Sequence, residues 1–336
     1  MAMRVSAPGK LILLGEHFVV HDCLAVAAAV EKRAVATALP HETVVIDAPD
    51  YSIRQEMTTG DVLSFLSEAQ SLREKEDVES LKRLGRDPLL PLKVVTGAAL
   101  ANCSGKGVNV RVTSDVPKAS GMGSGSAAFV SLAGAILTAH GREPDAKTVA
   151  DLAYVGDVLC HGKPSGIDNN TVAFGGYLKF RKSSGPEPLK VSPKLHVVIG
   201  STGVSAPTSD MVQINRDWLA LEPARVDHLL EQAENISQRG LDALKSSDAH
   251  ALGALANENQ VILRELGVSH PFLEKLIIAA RKAGALGAKL SGAGGGGIMY
   301  AICDGEDAQA RVAEAIKTAG GKPILTQLGA QGVRKE

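Results

Sequence analysis

The chain has 336 residues, 45% of them apolar and 22% charged, with a formal net charge of −1. That balance suits one large or two smaller folded domains and excludes a mainly disordered chain. Near neutrality gives no electrostatic reason to expect nucleic acid or an anionic membrane as the main partner, and 3% aromatic content is too sparse for a single-strand stacking platform.

Apolar runs at 3–7 and 11–14 flank Pro8-Gly9 and read as strands around a turn. Residues 24–30, 33–38 and 43–47 continue the strand signal. The charged stretch from about 59 to 85 carries apolar residues at helical spacing and reads as one or two solvated helices. A helix is expected at 91–103. Strict alternation at Val108, Val110 and Val112 then marks a strand over 107–114. A glycine loop at 120–125 leads into a small-residue helix ending near 139. Another helix follows at about 146–161, with Thr148 and Asp151 at capping-box spacing. The mix of Pro, Ser, Gly and charge at 181–194 reads as a linker. Beyond it come a buried-type strand at 195–200 and helices at 209–247, 252–266 and 271–284. A glycine run at 292–297, a strand at 298–302, a helix at 306–319 and a strand near 323–327 complete the pattern. Strands and helices alternate on both sides of the linker, which argues for an α+β architecture in two lobes, 1–185 and 186–336. No run approaches 18 apolar residues and the first residues lack an apolar signal core, so a soluble cytoplasmic protein is expected. Cys23, Cys103, Cys160 and Cys303 form no CxxC pair, in keeping with a reducing compartment.

Four segments carry chemistry. The loop Pro117-Lys118-Ala119-Ser120-Gly121-Met122-Gly123-Ser124-Gly125-Ser126 joins a strand to a helix. Its glycines let backbone approach an anion, and the helix start presents unpaired N–H groups to it. Ser124 and Ser126 add hydroxyls for phosphate or Mg²⁺. It is not a Walker A sequence. A second glycine run, Gly292 to Gly297, contains a literal GxGxxG but precedes a strand, so it is not a dinucleotide turn. Third, an apolar strand bears Lys10 at one end and Glu16-His17 at the other; these side chains either turn into a cleft or form a solvated pair. Fourth, Asp157 and His161 share a helix face, and Asp168 follows a glycine turn, placed to act as general base, metal ligand or helix cap.

The blocks APGKLILLGEH at 7–17, PKASGMGSGSAA at 117–128 and KLSGAGGGG at 289–297 resemble the three signature motifs of the GHMP kinase superfamily. HGKPSGIDNNTVAFGG at 161–176 and STGVSAPTSDMV at 201–212 resemble its mevalonate kinase family. The resemblance implies a first lobe like ribosomal protein S5 domain 2, a ferredoxin-like second lobe, and an active site between them. It implies ATP-dependent phosphorylation of the mevalonate C5 hydroxyl, with a homodimer as the expected assembly. Residue by residue, Asp168 corresponds to the catalytic aspartate and Lys10 to its electrostatic partner, both at the substrate. Glu16 and His17 match residues lining the mevalonate pocket. Pro117, Lys118, Ser120, Gly121, Met122, Gly123, Ser124, Gly125 and Ser126 match the ATP phosphate loop. Gly292 and Gly294 belong to the third motif beside the phosphates, and 201–208 matches another active-site loop. Mg²⁺ is expected on Asp157, where the family usually carries glutamate, and on Ser126. Aligned without a gap, Gly125 replaces the serine whose hydroxyl binds Mg²⁺ in the family, so Ser124 or Ser126 would take its place, Ser126 being preferred.

Overall fold

The computed structural model describes residues 2–103, 106–118, 120–204 and 223–336. Part of the helix expected at 209–247 and most of the 201–208 loop therefore lie outside the described residues.

The first lobe is an eight-stranded sheet backed by six helices. Its strands are β1 (Met3–Leu14), β2 (Ala25–His41), β3 (Val44–Ala48), β4 (Ile53–Met57), β5 (Gly107–Ser114), β6 (Tyr177–Arg181), β7 (Gly185–Leu189) and, from the far end of the chain, β12 (Arg334–Lys335). The helices are α1 (Thr59–Glu74), α2 (Val78–Leu84), α3 (Leu90–Ala101), α4 (Ser124–Ala139), α5 (Ala146–His161) and α6 (Ile167–Phe174). Strand order runs β12-β1-β2-β5-β3-β4. β2 is long enough to serve two partners on one edge, β6 through its first residues and β5 through its last. β3 and β5 are parallel, joined by the crossover through α1–α3.

The second lobe contains α7 (Pro223–Lys245), α8 (Ala249–Glu265), β9 (Gly287–Ser291), α9 (Pro271–Lys282), α10 (Gly305–Thr318) and three more strands, β8 (His196–Ser201), β10 (Ile298–Cys303) and β11 (Lys322–Gln327). Its antiparallel sheet has the order β11-β8-β10-β9, which is ferredoxin-like. α7 spans 23 residues but is amphipathic and charged, and no helix among the described residues is long and apolar enough to cross a membrane.

Several expectations change. Pro8-Gly9 is not a turn: β1 runs straight through it, with Glu31 and Lys32 bulging from β2 opposite. The 181–194 stretch is not a linker but carries the β6–β7 hairpin, so the expected division at 185/186 falls inside the first sheet. Pro186 and Pro188 are tolerated because β7 is an edge strand. The cap of α5 is Asp145, whose carboxylate accepts from the Thr148 N–H at 2.9 Å, while Asp151 pairs with Lys147 on the helix surface. Sequence reading missed β4, β6, β9 and β12.

The lobes meet at a second irregularity in β1. Ile12 pairs with Ala27 and Leu14 with Val26, so Leu13 is an extra residue pushed out of the ladder. The backbone groups around it find partners in the other lobe. Ser291 Oγ accepts from the Ile12 N–H at 3.2 Å and donates to the Ile12 carbonyl at 2.9 Å. Tyr300 Oη donates to the Leu13 carbonyl at 2.8 Å. α7 adds Glu234, which accepts from the Leu24 N–H at 2.8 Å and pairs with Arg181. Gly240 makes this approach possible, since a Cβ there would lie 2.1 Å from Leu14 Cδ1.

Ser291→Ala leaves a buried N–H and carbonyl of β1 without their partner. We expect a loss of about 1–3 kcal/mol of unfolding free energy, read from the urea midpoint; an unchanged midpoint would mean the bulge is not held from the second lobe.

Candidate active site

The glycine loop is built against β1. The Lys10 N–H donates to the Met122 carbonyl at 2.9 Å, and the Met122 N–H donates to Ser120 Oγ at 3.3 Å. Both backbone polar groups of Met122 are thus engaged and its side chain is fully buried, so it anchors the loop. Ser120 Oγ in turn donates to the Pro117 carbonyl at 2.6 Å. Gly123, at φ 70°, caps α4, and a Cβ there would stand 2.8 Å from Lys10 Cγ. The Lys10 stem and the start of α4 therefore share one small space. α4 has no side-chain cap and no acidic residue in its first turn, so its N–H groups at Ser124, Gly125 and Ser126 are left for an anion. Gly121 and Gly125 are exposed and Ser124 is half-buried, which keeps this end open.

Lys118 points elsewhere. Its ammonium donates to the Asp50 carbonyl and lies 3.8 Å from the centroid of the Tyr51 ring.

Asp168 comes to Lys10 from the opposite side. Gly166, at φ 89°, caps α6 and sets Asp168 in its first turn, where the helix dipole favours a carboxylate. Lys10 Nζ lies 2.9 Å from Asp168 Oδ1; the lysine side chain is 5% exposed and the aspartate 30%, so the carboxylate remains reachable from solvent.

Behind this pair, Ser126 Oγ donates to Asp157 Oδ1 at 2.8 Å, joining α4 to α5. Asp157 is 2% exposed, and its Oδ2 has no partner among the described residues. Burial, then the nearby Asp168 charge, pushes its carboxyl up to about 8 against the opposing Ser126 bond and Lys10 charge. A buried carboxylate oxygen without a donor, next to a serine hydroxyl, is a hard oxygen pair that fits Mg²⁺. No cluster of three acidic, His or Cys side chains able to hold a metal exists among the described residues. The pair therefore suits an ion that takes its remaining ligands from phosphate and water.

Glu16 and His17 are not a solvated surface pair. Glu16 is 2% exposed and forms an ion pair with Lys289 of β9, itself fully buried. Lys289 also donates to the Leu290 carbonyl at 2.7 Å and lies 5.3 Å from the Tyr300 ring centroid. Burial raises the Glu16 carboxyl and lowers the Lys289 ammonium, while each partner opposes the shift of the other. His17 adopts φ 66°, and burial lowers its ring to about 4 despite contacts with the backbone of Ala293 and Gly292, so it is neutral at pH 7. Sequence reading missed Lys289, Ser291 and Tyr300. The available signal was a lysine set among the small residues of the 289–297 block.

The glycine run at 292–297 is shaped by packing. A Cβ on Gly294 would stand 2.1 Å from the Val268 carbonyl, and one on Gly296 would stand 2.6 Å from the Val204 carbonyl. Gly294 thus answers a close approach of backbone within the lobe. Gly292, at φ 86°, has open space where a Cβ would stand.

Two family models match the chain: the GHMP kinases N terminal domain over residues 91–177 and the GHMP kinases C terminal domain over 241–322. Mevalonate kinase of Thermococcus sibiricus is 37% identical over 343 residues, covering 100% of this chain and 99% of that protein. Mevalonate kinase of Mus musculus is 32% identical, covering 99% of this chain and 94% of its own. Among solved structures, L. major mevalonate kinase in complex with R-mevalonate aligns with TM-score 0.75 at 25% identity, over 97% of this chain and 96% of that one. The Methanococcus jannaschii mevalonate kinase aligns with TM-score 0.81 at 17% identity over 98% of both chains, a likeness of fold.

In the metal-free protein Asp157 binds its proton more tightly when folded than when unfolded. Stability should therefore fall as pH rises from about 4 to about 8, the window between the ordinary carboxylate value and the raised one. Asp157→Asn should flatten that slope in urea unfolding at pH 5 and pH 8. A slope unchanged by the substitution would assign the dependence to another group.

Proposed function

Because the chain belongs to the GHMP kinase superfamily and, within it, to the mevalonate kinases, we propose a specific division of labour for its ATP-dependent phosphorylation of mevalonate. The reaction joins the C5 hydroxyl oxygen of mevalonate to the γ-phosphorus of ATP. The bond from that phosphorus to the β–γ bridging oxygen breaks, and 5-phosphomevalonate and ADP result. Phosphoryl transfer gains mostly from positioning and charge neutralisation.

Asp168 takes the hydroxyl proton, and the Lys10 ammonium holds that carboxylate and offsets charge on the transferring group. The observation that carries this reading is the 2.9 Å Lys10–Asp168 pair set beside the uncapped start of α4. Gly123 matters to both halves, since its missing Cβ lets the lysine stem lie against the helix cap. Backbone N–H groups at Ser124, Gly125 and Ser126 receive the nucleotide phosphates. Ser126 and Asp157 would hold Mg²⁺, which supplies neutralisation of charge on the β- and γ-phosphates. The shorter aspartate in place of glutamate is answered by its bond to Ser126, which supports Ser126 over Ser124 as the replacement hydroxyl. Four free cysteines accord with a reducing cytoplasm as the setting, and a homodimer is the assembly in this reading.

Asp168→Asn should lower kcat by roughly three orders of magnitude or more while ATP affinity stays within about twofold, because the substitution removes the proton acceptor and leaves the α4 end intact. Turnover is read as ADP release with mevalonate and Mg·ATP. Near wild-type turnover would remove Asp168 from the role of base.

A further inference from the structure

We propose that Arg33 is a positioning residue for the phosphoryl-transfer step: it clamps residues 328–333 as a strap onto the end of α6, and so fixes the angle at which α6 presents Asp168 to Lys10. This rests on the reading of Asp168 as the base and reaches to the far end of the helix that carries it.

α6 has only eight residues and spans about 12 Å, so a shift at one end is carried to the other. Its first turn holds Asp168 and is pinned to α5 by Asn169, whose side-chain amide donates to the Ala150 carbonyl at 2.9 Å. Its last turn is held by the strap. The Val333 N–H donates to the Ala173 carbonyl at 3.0 Å, engaging a group that the helix itself leaves unpaired. Gly175 bridges to Gln331, and the Gly176 N–H donates to the Ala330 carbonyl at 2.8 Å. A Cβ on Gly332 would stand 2.2 Å from the Ala173 carbonyl oxygen, so backbone meets backbone there with no side chain between. Asn169 acts as the pivot, and the strap sets the tilt.

The strap is also tied to the strand position across from the lysine. Ala29 of β2 pairs with Lys10 of β1. The Ala29 carbonyl accepts from the Gly329 N–H at 3.0 Å and the Ala330 N–H at 3.3 Å, and the Ala29 N–H donates to the Gly176 carbonyl at 2.9 Å. One residue thus links the ladder beside Lys10, the strap and the end of α6.

Arg33 holds the strap down. Its Nη1 donates to the Gln331 carbonyl at 2.7 Å and its Nη2 to the Gly332 carbonyl at 2.6 Å. Its Nε donates to Ser6 Oγ at 2.7 Å, and Nη2 also reaches the Ser6 carbonyl at 3.2 Å. Two strands and the strap are therefore joined by one planar fork, which a lysine point charge does not reproduce. The bulge at Glu31 and Lys32 makes this possible: it sets Arg33 opposite Pro8, where a regular ladder would put Glu31.

The test measures turnover per folded molecule, as ADP release at saturating mevalonate and Mg·ATP, well below the unfolding transition. Arg33→Gln should lower kcat by roughly 10- to 100-fold, the scale of a misplacement of about 1 Å at the reacting atoms. The KM for ATP should stay within about twofold, because the start of α4 is untouched. Arg33→Lys keeps the charge and loses the fork; it should fold and still lose at least about fivefold in kcat. A residue that only holds the fold together would lower the urea midpoint and leave the kcat of the folded fraction alone. The deciding readout is the double variant R33Q/D168N, followed with γ-labelled ATP. It should be no slower than Asp168→Asn alone within about twofold, since a clamp that acts through Asp168 has nothing left to position. Unchanged kcat in both Arg33 variants overturns the proposal, and so does a loss in the double variant as large as in the wild-type background. If Arg33→Gln fails to fold, Arg33→Lys and its combination with Asp168→Asn decide. Failure of the base assignment looks different: Asp168→Asn would turn over near the wild-type rate, whereas failure of the clamp alone leaves Asp168→Asn slow and the Arg33 variants fast.

Discussion

The Lys10–Asp168 ion pair is the interaction around which the first lobe is arranged. A lysine ammonium brought nearly out of water needs a carboxylate and a channel for its stem, and both come from glycine positions. Gly123 clears the channel beside the α4 cap, and Gly166 sets Asp168 into the first turn of α6. The same pair governs what lies behind it. Asp157 sits within range of Asp168 and is buried, so a second negative charge there is unfavourable until a cation arrives. Two carboxylates, one lysine and the open start of α4 form a small charge lattice that a positive, oxygen-seeking ion would complete. The Mg²⁺ proposed to accompany ATP has those properties.

The second lobe enters this arrangement through one defect in one strand. Leu13 is pushed out of the β1–β2 ladder, and the backbone on either side of it turns to Ser291 and Tyr300. A regular strand would have used those groups within its own sheet. The bulge therefore trades ladder bonds for a joint between lobes and sets that joint between Lys10 and Glu16. Tyr300 serves it twice, through its hydroxyl on Leu13 and its ring beside Lys289.

Much of this was legible in the chain. Valine alternation at 108–112, the glycine loop into α4, and the boundaries of α5 at 146–161 follow from local spacing and match the structure. The pairing of Lys10 with Asp168 was expected from the family resemblance, and the two side chains meet. What spacing could not supply was anything that depends on a distant partner. Pro8-Gly9 reads as a turn because local chemistry favours one, yet β2 absorbs the irregularity by bulging at Glu31 and Lys32. The Pro-rich hairpin at 185–189 looked like a linker because an exposed edge strand has linker composition. Lys289 carries no local mark of burial; its partner is 273 residues away. Gly294 looked ligand-facing, but the carbonyl of Val268 fills the space a side chain would need.

The strand β12 gives the fold an order in time. Val5 and Ser6 of β1 pair with Lys335 and Arg334, Val30 bridges to Leu328, and Arg33 donates to the carbonyls of Gln331 and Gly332. The sheet that carries Lys10 is thus finished by residues from the other end of the sequence. During synthesis β1 emerges first and must wait through the whole second lobe before its edge is covered. At about 5–20 residues per second that interval is of the order of tens of seconds, during which β1 presents an open edge. Completion of the sheet that carries Lys10 is therefore a late event in synthesis, set by a strand far along the chain from β1 rather than by local folding of β1 and β2.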